Sequence, residues 1–301
     1  MTVEVFAPAK VNLTLHITGR RSDGYHLIDS LVTFGPAGDF VSMTGADGVS
    51  ITVDGPEARG VPADETNLAA RAAKIVRLGK GTALTITKHL PAASGIGGGS
   101  ADAAAAVRAA LLLEDPAQTT LAAFGPDILL ETRFRPLLDL GADIPMCLLP
   151  RPLRALGIGE KITFADVPPL VALLVNPRVP VPTGAVFAAL ETPDNAPMPE
   201  TLPAFPDAAT LIDWLGTQRN DLEVPALTVA PAIADVLGVL RASPGCRLAR
   251  MSGSGATCFG LFLEQAEAIA AGEAILAAYP GWWLAGGMMG DYLGKALPRV
   301  T

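Results

Sequence analysis

A glycine-rich stretch in the first third of the chain has the residue types and spacing needed to hold an anion. It reads Pro91-Ala92-Ala93-Ser94-Gly95-Ile96-Gly97-Gly98-Gly99-Ser100-Ala101. Glycine permits positive φ and lets a ligand approach the backbone without meeting a Cβ atom, and the free N–H groups at the start of a helix attract negative charge. Alternating apolar residues at 83–87 predict a strand before the stretch, and strong helix formers at 101–113, interrupted by Arg108, predict a helix after it. We therefore expect this phosphate loop, residues 91–101, to bind the phosphate chain of a nucleotide, with the hydroxyl of Ser100 where the helix begins.

The same stretch has a simpler interpretation as a plain connector between strand and helix, in which Ser100 only caps the helix. A connector needs one or two glycines, whereas four of the five residues at 95–99 are glycine, which favours phosphate binding. The order of residues matches neither the G-x-x-x-x-G-K-[ST] loop nor the G-x-G-x-x-G fingerprint, because Ser100 stands where the last glycine belongs. The sequence therefore predicts a third kind of phosphate loop.

Composition narrows the class of protein. The 301 residues are half apolar and 17% charged, which predicts a globular chain of one large or two medium domains. A net charge of −8 argues against a nucleic-acid partner. Cys147, Cys246 and Cys258 are odd in number and far apart, so we expect buried thiols in a reducing compartment rather than disulfides or a zinc site. Neither a signal peptide nor an apolar run of about 18 residues is present, so we expect a cytoplasmic protein without a membrane partner.

The segment at 8–17 alternates in the manner of a strand. One face carries the apolar residues Val11, Leu13, Leu15 and Ile17, and the other carries the polar residues Lys10, Asn12, Thr14 and His16. On the alternation alone, the polar face is equally consistent with a solvated sheet surface and with the wall of a site.

Several motifs, taken in chain order, resemble one known family. Residues 9–13 (Ala-Lys-Val-Asn-Leu), 19–21 (Gly-Arg-Arg) and 23–26 (Asp-Gly-Tyr-His) are similar to the opening of the 4-diphosphocytidyl-2-C-methyl-D-erythritol kinases, a family of the GHMP kinase superfamily. The phosphate loop resembles that superfamily's phosphate motif, and the segment 140–145 (Leu-Gly-Ala-Asp-Ile-Pro) resembles its catalytic segment. Further matches follow in family order at 157–160, 182–187, 219–223 and 251–259.

The resemblance implies an α+β fold of two lobes, with the active site in the cleft between them. Residues 1–155 would form the N-terminal, ATP-binding lobe and residues 156–301 the C-terminal lobe. The implied reaction is ATP-dependent phosphorylation, with Mg²⁺, of the 2-hydroxyl of a cytidine diphosphate ester in the non-mevalonate isoprenoid pathway. Two alternatives stay open: a GHMP-type kinase acting on homoserine, a mevalonate derivative or a sugar, and a nucleotide-binding protein without catalysis. The oligomeric state is not predicted.

The resemblance also assigns roles to individual residues. Asp143 would be the catalytic base, and Lys10 would keep it ionised and polarise the hydroxyl or the γ-phosphate; from residue chemistry alone, Asp143 reads as a turn or capping residue and Lys10 as a solvated strand lysine. Ser100 would lie near Mg²⁺. The expected substrate contacts are Tyr25, His26 and Phe187 for the cytosine, and Asn12 and Thr183 for the hydroxyls or phosphates. The alternative for each is core packing or a surface turn.

Further expectations concern single residues and individual elements. Ala93 replaces a glycine common in the family, so we expect an ordinary negative φ there. Asn67 reads as a helix cap rather than an adenine contact, and the second glycine turn at 252–255 as either a wall of the site or a plain turn. The segment 114–139 is longer than the family pattern. We expect helices at 67–78, 231–242 and 264–279, and strands at 161–164, 171–175, 258–262 and 282–284.

Overall fold

The computed structural model describes residues 1–77, 80–114 and 135–301. Its strands are β1 (Thr2–Asn12), β2 (His16–Arg20), β3 (His26–Gly45), β4 (Val49–Asp54), β5 (Thr82–Thr87), β6 (Leu153–Gly157), β7 (Lys161–Phe164), β8 (Leu170–Asn176), β9 (Leu248–Met251), β10 (Cys258–Phe262), β11 (Trp283–Met289) and β12 (Arg299–Val300). Its helices are α1 (Leu68–Arg77), α2 (Gly98–Glu114), α3 (Pro136–Leu140), α4 (Ile144–Leu148), α5 (Thr183–Ala188), α6 (Ala208–Gly216), α7 (Glu223–Val229), α8 (Ala232–Ala242), α9 (Gln265–Ala278) and α10 (Leu293–Ala296).

Two sheets organise these elements. The first has the order β12-β1-β3-β5-β4, with β2 and β6 also paired to the long strand β3, and β7 paired to β6. The second has the order β11-β8-β10-β9, and its pairs are all antiparallel. Helices and sheets of mixed topology in one chain are typical of an α+β fold, as the sequence predicts.

Helix α2 lies at the centre of the first hydrophobic core. Its residues from Ala101 to Leu112 are all buried, because α1, α4 and the first sheet surround it. Alanine side chains allow this close packing, and a helix that is apolar on all faces belongs in a core. The phosphate loop therefore ends in a helix whose position is fixed from several sides.

The alternating segment near the N-terminus is divided between β1 and β2, and its polar face is not solvated. The four residues Lys10, Asn12, Thr14 and His16 are at most 3% exposed. The elements of the second half of the chain cover this face: Thr14 Oγ1 contacts Met198 Sδ, and the ring of His16 contacts the carbonyl oxygen of Ala196. Polar groups buried in this way require hydrogen-bond partners, and the second half of the chain supplies them for Thr14 and His16.

Most elements predicted from the sequence are present with small shifts at their ends. Helices α1, α8 and α9 and strands β7, β8 and β10 lie where the residue patterns place them. The last predicted strand, 282–284, is too short, since β11 runs to Met289 and pairs with the whole of the buried strand β8. Asn67 is a cap, because its Oδ1 accepts from the N–H of Ala69. Most of the segment 114–139 lies outside the described residues.

The proposed lobe boundary between residues 155 and 156 falls inside β6. Strand β6 continues to Gly157 and pairs with β7, so the first sheet receives strands up to Phe164 before the chain enters the second sheet at β8. The division at 155 stays a prediction. No helix in the described part of the chain is long and apolar enough to span a membrane.

Arg108 connects α2 to its neighbours from within the core. Its guanidinium is fully buried and donates to the carbonyl oxygens of Cys147, Leu148 and Phe6 at 2.7, 3.1 and 3.2 Å. Burial lowers the pKa of Arg108 to about 10, so the group stays charged at neutral pH. The carbonyls of Cys147 and Leu148 belong to the last turn of α4, where positive charge is favourable. Arg108 thus fixes the short helix that follows Asp143.

Replacement of Arg108 tests this connection. In Arg108→Met three carbonyl oxygens lose their donors, and we expect the free energy of unfolding to fall by about 2–4 kcal/mol. Urea unfolding monitored by tryptophan fluorescence measures the change. The matched control is Arg299→Met on the exposed strand β12, for which we expect little change. Equal stabilities of the two variants would contradict a role for Arg108 in the core.

Candidate active site

A cavity of about 1030 Å³ lies where the phosphate loop meets the second glycine turn. Its walls come from both halves of the chain: β1, the turn before β3, the phosphate loop and Asp143 on one side, and α5 with Gly253 and Ser254 on the other. Pockets for small molecules typically have about 300–1,000 Å³, so this cavity lies at the upper end of that range. Every expected catalytic and substrate residue lines this cavity.

Within the phosphate loop, only some of the expected residues face the cavity. The lining residues are Ala93, Ser94, Gly95, Gly97, Gly98, Gly99 and Ser100. Pro91, Ala92, Ile96 and Ala101 are not among them. Ile96 and Ala101 are instead buried in hydrophobic clusters, and they hold the loop on the side away from the cavity. The loop thus presents backbone and small side chains to the cavity, as phosphate binding requires.

Backbone contacts from both halves of the chain hold the phosphate loop. The N–H of Lys10 donates to Ile96 O at 2.9 Å, and the N–H of Thr257 donates to Ser94 O at 3.0 Å. Gly95 has φ +76°, and a Cβ atom there would lie 2.5 Å from Ser252 O. Only glycine fits this close approach, so the second glycine turn is packed directly against the loop. It is a wall of the site rather than a plain turn.

The expectation of an ordinary conformation at Ala93 is wrong. Its φ is +49°, in the left-handed region that glycine adopts more readily than alanine. The alanine is held there because the residues on both sides of it are fixed: Pro91 is buried, and Ser94 and Gly95 contact the second glycine turn. The contacts of the loop therefore impose a positive φ on Ala93, although alanine prefers a negative φ.

Lys10 and Asp143 form an ion pair in the cavity wall. Lys10 Nζ lies 2.9 Å from Asp143 Oδ2 and donates to Asn12 Oδ1 at 2.8 Å. The lysine is almost fully buried, whereas the carboxylate of Asp143 is 37% exposed. Asp143 occupies the N-cap position of α4 but makes no side-chain capping bond. Neither the solvated lysine nor the capping aspartate of the simpler interpretation is present.

The ion pair adjoins the phosphate loop. Gly97 has φ +65°, and a Cβ atom there would lie 3.2 Å from Lys10 Cε and 3.8 Å from Asp143 Oδ2. On the other side, Gly141 lies close to the hydroxyl of Ser100, since a Cβ at Gly141 would be 3.8 Å from Ser100 Oγ. A phosphate group bound by the loop amides would therefore be within reach of an ammonium, a carboxylate and a hydroxyl.

The expected cytosine contacts lie together at another part of the cavity. The rings of His26 and Phe187 are stacked on each other, with centroids 4.7 Å apart and an angle of 20° between planes. Tyr25 is 57% exposed beside them. Burial and the nearby Arg20 lower the pKa of His26, so its imidazole is neutral near pH 7. Because the two rings cover one face of each other, the faces left for a base to stack on are the outer ones.

The remaining substrate candidates have partners within the protein. Asn12 accepts from Lys10 and donates to Ser30 Oγ at 2.8 Å, so its side chain orients the lysine as well as lining the cavity. Thr183 Oγ1 lies 2.9 Å from Ser254 Oγ, which joins α5 to the second glycine turn. Both residues are brought to the site, with their polar atoms already ordered by neighbours.

Three buried charged residues behind the phosphate loop were not found from the sequence. Lys88 Nζ contacts Asp39 Oδ2 and lies 2.7 Å from Asp102 Oδ2. Burial and the neighbouring Asp39 raise the pKa of Asp102 above its usual value, against the opposing effect of Lys88. The signal was available, because Asp102 is an acidic residue at the start of an otherwise apolar helix, where it needs a buried partner.

Replacing Ala93 by glycine tests the strain in the loop. We expect Ala93→Gly to leave the free energy of unfolding unchanged or to raise it by up to ~1 kcal/mol, because relief of a left-handed alanine offsets the entropy of glycine. The control Ala92→Gly, at a neighbouring residue outside the positive-φ region, should lower it by ~0.5–1 kcal/mol. Thermal unfolding measures both. An equal loss in the two variants would show that Ala93 is unstrained.

Comparison with known proteins identifies the class. Residues 67–135 match the family described as GHMP kinases N terminal domain, and residues 201–281 match GHMP kinases C terminal. A crystal structure of homoserine kinase from Cytophaga hutchinsonii, 20% identical in sequence, has the same fold with a TM-score of 0.65, over 100% of this chain and 97% of that one. Fold and site together define a small-molecule kinase of the GHMP class.

Two closer relatives define the family within that class. A 4-diphosphocytidyl-2-C-methyl-D-erythritol kinase from Cereibacter sphaeroides is 51% identical over 285 residues, 94% of this chain and 97% of the relative. A crystal structure of a 4-(cytidine 5'-diphospho)-2C-methyl-D-erythritol kinase is 33% identical, with a TM-score of 0.72 over 96% of this chain and 99% of that one. The chain belongs to the 4-diphosphocytidyl-2-C-methyl-D-erythritol kinase family. The family and the fold predicted from the ordered motifs are thereby confirmed.

Proposed function

We propose that the protein transfers the γ-phosphoryl group of ATP to the 2-hydroxyl of 4-diphosphocytidyl-2-C-methyl-D-erythritol, giving the 2-phosphate and ADP for isoprenoid precursor synthesis. One observation carries the proposal: the Lys10–Asp143 ion pair adjoins Gly97 of the phosphate loop. The same cavity contains the aromatic cluster Tyr25, His26 and Phe187. A phosphate cradle, a base and a site for a planar ring are the parts that this reaction needs.

In this proposal the phosphate loop binds ATP. The glycines at 97–99 and Ser100 open α2, so their N–H groups and the positive end of the helix dipole face the bound phosphates. Ala93, Ser94 and Gly95 form the adjoining wall. Because the overall charge is −8, a bound nucleotide depends on these local amides and on Lys10 rather than on a basic surface.

Asp143 acts as the base and Lys10 as the electrostatic partner. The exposed part of the Asp143 carboxylate receives the proton of the substrate's 2-hydroxyl group. At the same time the oxygen of that hydroxyl bonds to the γ-phosphorus of ATP, and the bond between the γ-phosphorus and the leaving oxygen of ADP breaks. The ammonium of Lys10, held by Asn12 and Asp143, stabilises negative charge on the transferred phosphoryl group. The buried position of Lys10 keeps it in place without a further loss of side-chain entropy.

The residues at the cavity fit Mg²⁺ bound mainly through the nucleotide. Ser100 supplies a hydroxyl at the cavity wall, while the described part of the chain contains no group of three His, Cys, Asp or Glu side chains able to hold a metal. Mg²⁺ typically takes one or two protein oxygens and completes its shell with phosphates and water. When bound, it would neutralise charge on the phosphates.

We also propose a cytoplasmic location, since all three cysteines are free thiols.

Asp143→Asn tests the catalytic role. We expect kcat to fall by about 100- to 10,000-fold, because the amide cannot accept the hydroxyl proton, while ATP binding is retained. ADP release is measured with the cytidine ester, homoserine, phosphomevalonate and galactose as acceptors. The control is Asp139→Asn, an exposed aspartate of the neighbouring helix α3 outside the cavity.

The acceptor panel separates the alternatives. Turnover on the cytidine ester alone, lost in Asp143→Asn, supports both the substrate and the base. Turnover on another acceptor would reject the cytidine site but leave the kinase class intact. ATP binding without turnover on any acceptor would favour a nucleotide-binding protein.

Phe187→Leu tests the aromatic cluster. Leucine keeps an apolar side chain against the hydrophobic cluster that includes Val186 and Leu222, but it removes the ring. We therefore expect KM for the cytidine ester to rise about tenfold with KM for ATP unchanged. Competition by CMP should weaken to the same extent. Phe205→Leu is the control, because Phe205 packs on Trp214 outside the cavity. An unchanged KM for the cytidine ester in Phe187→Leu would exclude stacking at this position.

A further inference from the structure

A cluster of three charged side chains is buried directly behind the phosphate loop. Lys88 contacts both Asp39 and Asp102, and the exposed fractions of the three side chains are 3%, 0% and 4%. Asp39 lies in β3, Lys88 directly follows β5, and Asp102 lies near the start of α2. The cluster therefore joins two strands of the first sheet to the helix that begins in the phosphate loop.

Both ends of the phosphate loop are attached to this cluster. Asp39 Oδ1 accepts from the N–H groups of His89 and Leu90 at 2.6 and 2.8 Å, which fixes the chain entering the loop. Asp102 fixes the chain leaving it. Between them, a Cβ atom at Gly98 would lie 3.5 Å from Lys88 Nζ. The ammonium thus lies just behind the first residue of α2, but it does not itself line the cavity.

The cluster is poorly suited to stabilising the fold for its own sake. It contains two carboxylates for one ammonium, and Asp102 Oδ1 is buried with no hydrogen-bond partner among the residues described. Buried ion pairs lose much of their mutual attraction to desolvation, and apolar residues of similar volume often serve stability as well or better. What such a cluster does provide is a directional contact that fixes one element against another.

We propose that Lys88 is a positioning residue of the nucleotide site: by joining Asp39 to Asp102 it sets the first turn of α2 and thereby the loop amides that receive the phosphates of ATP. This inference rests on the proposed function, because it takes the loop to bind ATP. The cluster then affects the affinity for the nucleotide. Binding of the alcohol substrate does not depend on it, because that substrate contacts other walls of the cavity.

Two substitutions of Asp102 distinguish an effect of loop position on ATP binding from an effect of charge and from a loss of stability. Both Asp102→Ala and Asp102→Asn remove the unbalanced carboxylate and leave the Lys88–Asp39 pair. Only asparagine keeps an oxygen that can accept from Lys88 Nζ. Alanine is a strong helix former and continues the run Ala103–Ala106, so the helix itself should be retained. Loss of a negative charge behind an anion site would by itself tighten ATP binding in both variants.

The experiment measures binding of ATP with Mg²⁺ to the full chain by titration calorimetry, together with KM for each substrate and the unfolding temperature. We expect Asp102→Ala to raise Kd and KM for ATP about tenfold or more, with KM for the alcohol and the unfolding temperature unchanged. Asp102→Asn should restore ATP affinity to the native level or better. Arg108→Met, a buried cation of the same helix without contact to the loop, should lower stability without weakening ATP binding.

Two results would overturn the inference: native ATP affinity in Asp102→Ala, or equal weakening in Asp102→Ala and Asp102→Asn. If Asp102→Ala does not fold, Asp102→Ser replaces it, because serine is too short to reach Lys88 Nζ yet keeps a polar group in place, and the same comparison with Asp102→Asn applies. Failure of the proposed function is recognised separately, since the native chain would then bind no ATP or phosphorylate no cytidine ester.

Discussion

The site depends on the packing of one glycine turn against another. Ser252 Oγ donates to Gly95 O and accepts from the N–H of Asn12, so a single hydroxyl joins β1, the phosphate loop and the second turn. The two backbone segments approach so closely that a Cβ atom at Gly95 or Gly253 would overlap the backbone of the other segment. This contact brings the two halves of the chain together at one place, and the cavity is the space left on one side of it.

Two buried lysines lie on opposite sides of the phosphate loop. Lys10 lies on the cavity side of Gly97, and Lys88 lies behind Gly98. Both are lysines in a low-dielectric environment and both are held by carboxylates, yet only Lys10 has a partner with access to the cavity. One ammonium can therefore meet a ligand, while the other can act only through the backbone between them. Lys10 thus lies on the side of the loop that faces the cavity, and Lys88 on the side that faces the core.

The sequence was informative wherever a local pattern determined the structure. The strand–loop–helix order, the helix α2 and the cap Asn67 follow from residue preferences that act over a few positions. Lys10 and Asp143 are 133 positions apart in the numbering, and no local pattern joins them; their pairing came from the resemblance and appears in the structure as an ion pair. The roles of the site residues remain predictions.

What the sequence could not give depends on contacts between distant elements. Ala93 takes a positive φ because the second glycine turn fixes the residues beside it, and an alanine carries no sign of that contact. His26 and Phe187 stack on each other because β3 and α5 meet, which leaves fewer ring faces for a base than separate rings would offer. No local pattern distinguishes Lys88, because its partner Asp39 lies 49 positions earlier in the chain.

The bond between Asn12 and Ser252 spans 240 residues, which has a consequence for biosynthesis. A nascent chain carries the phosphate loop long before it carries the turn that supports it. Until residues 252–257 emerge, Ser94 O and Gly95 O lack the donors that hold them in the finished protein. The candidate site is thus complete only after residues 252–257 have been made, and its formation requires both halves of the chain.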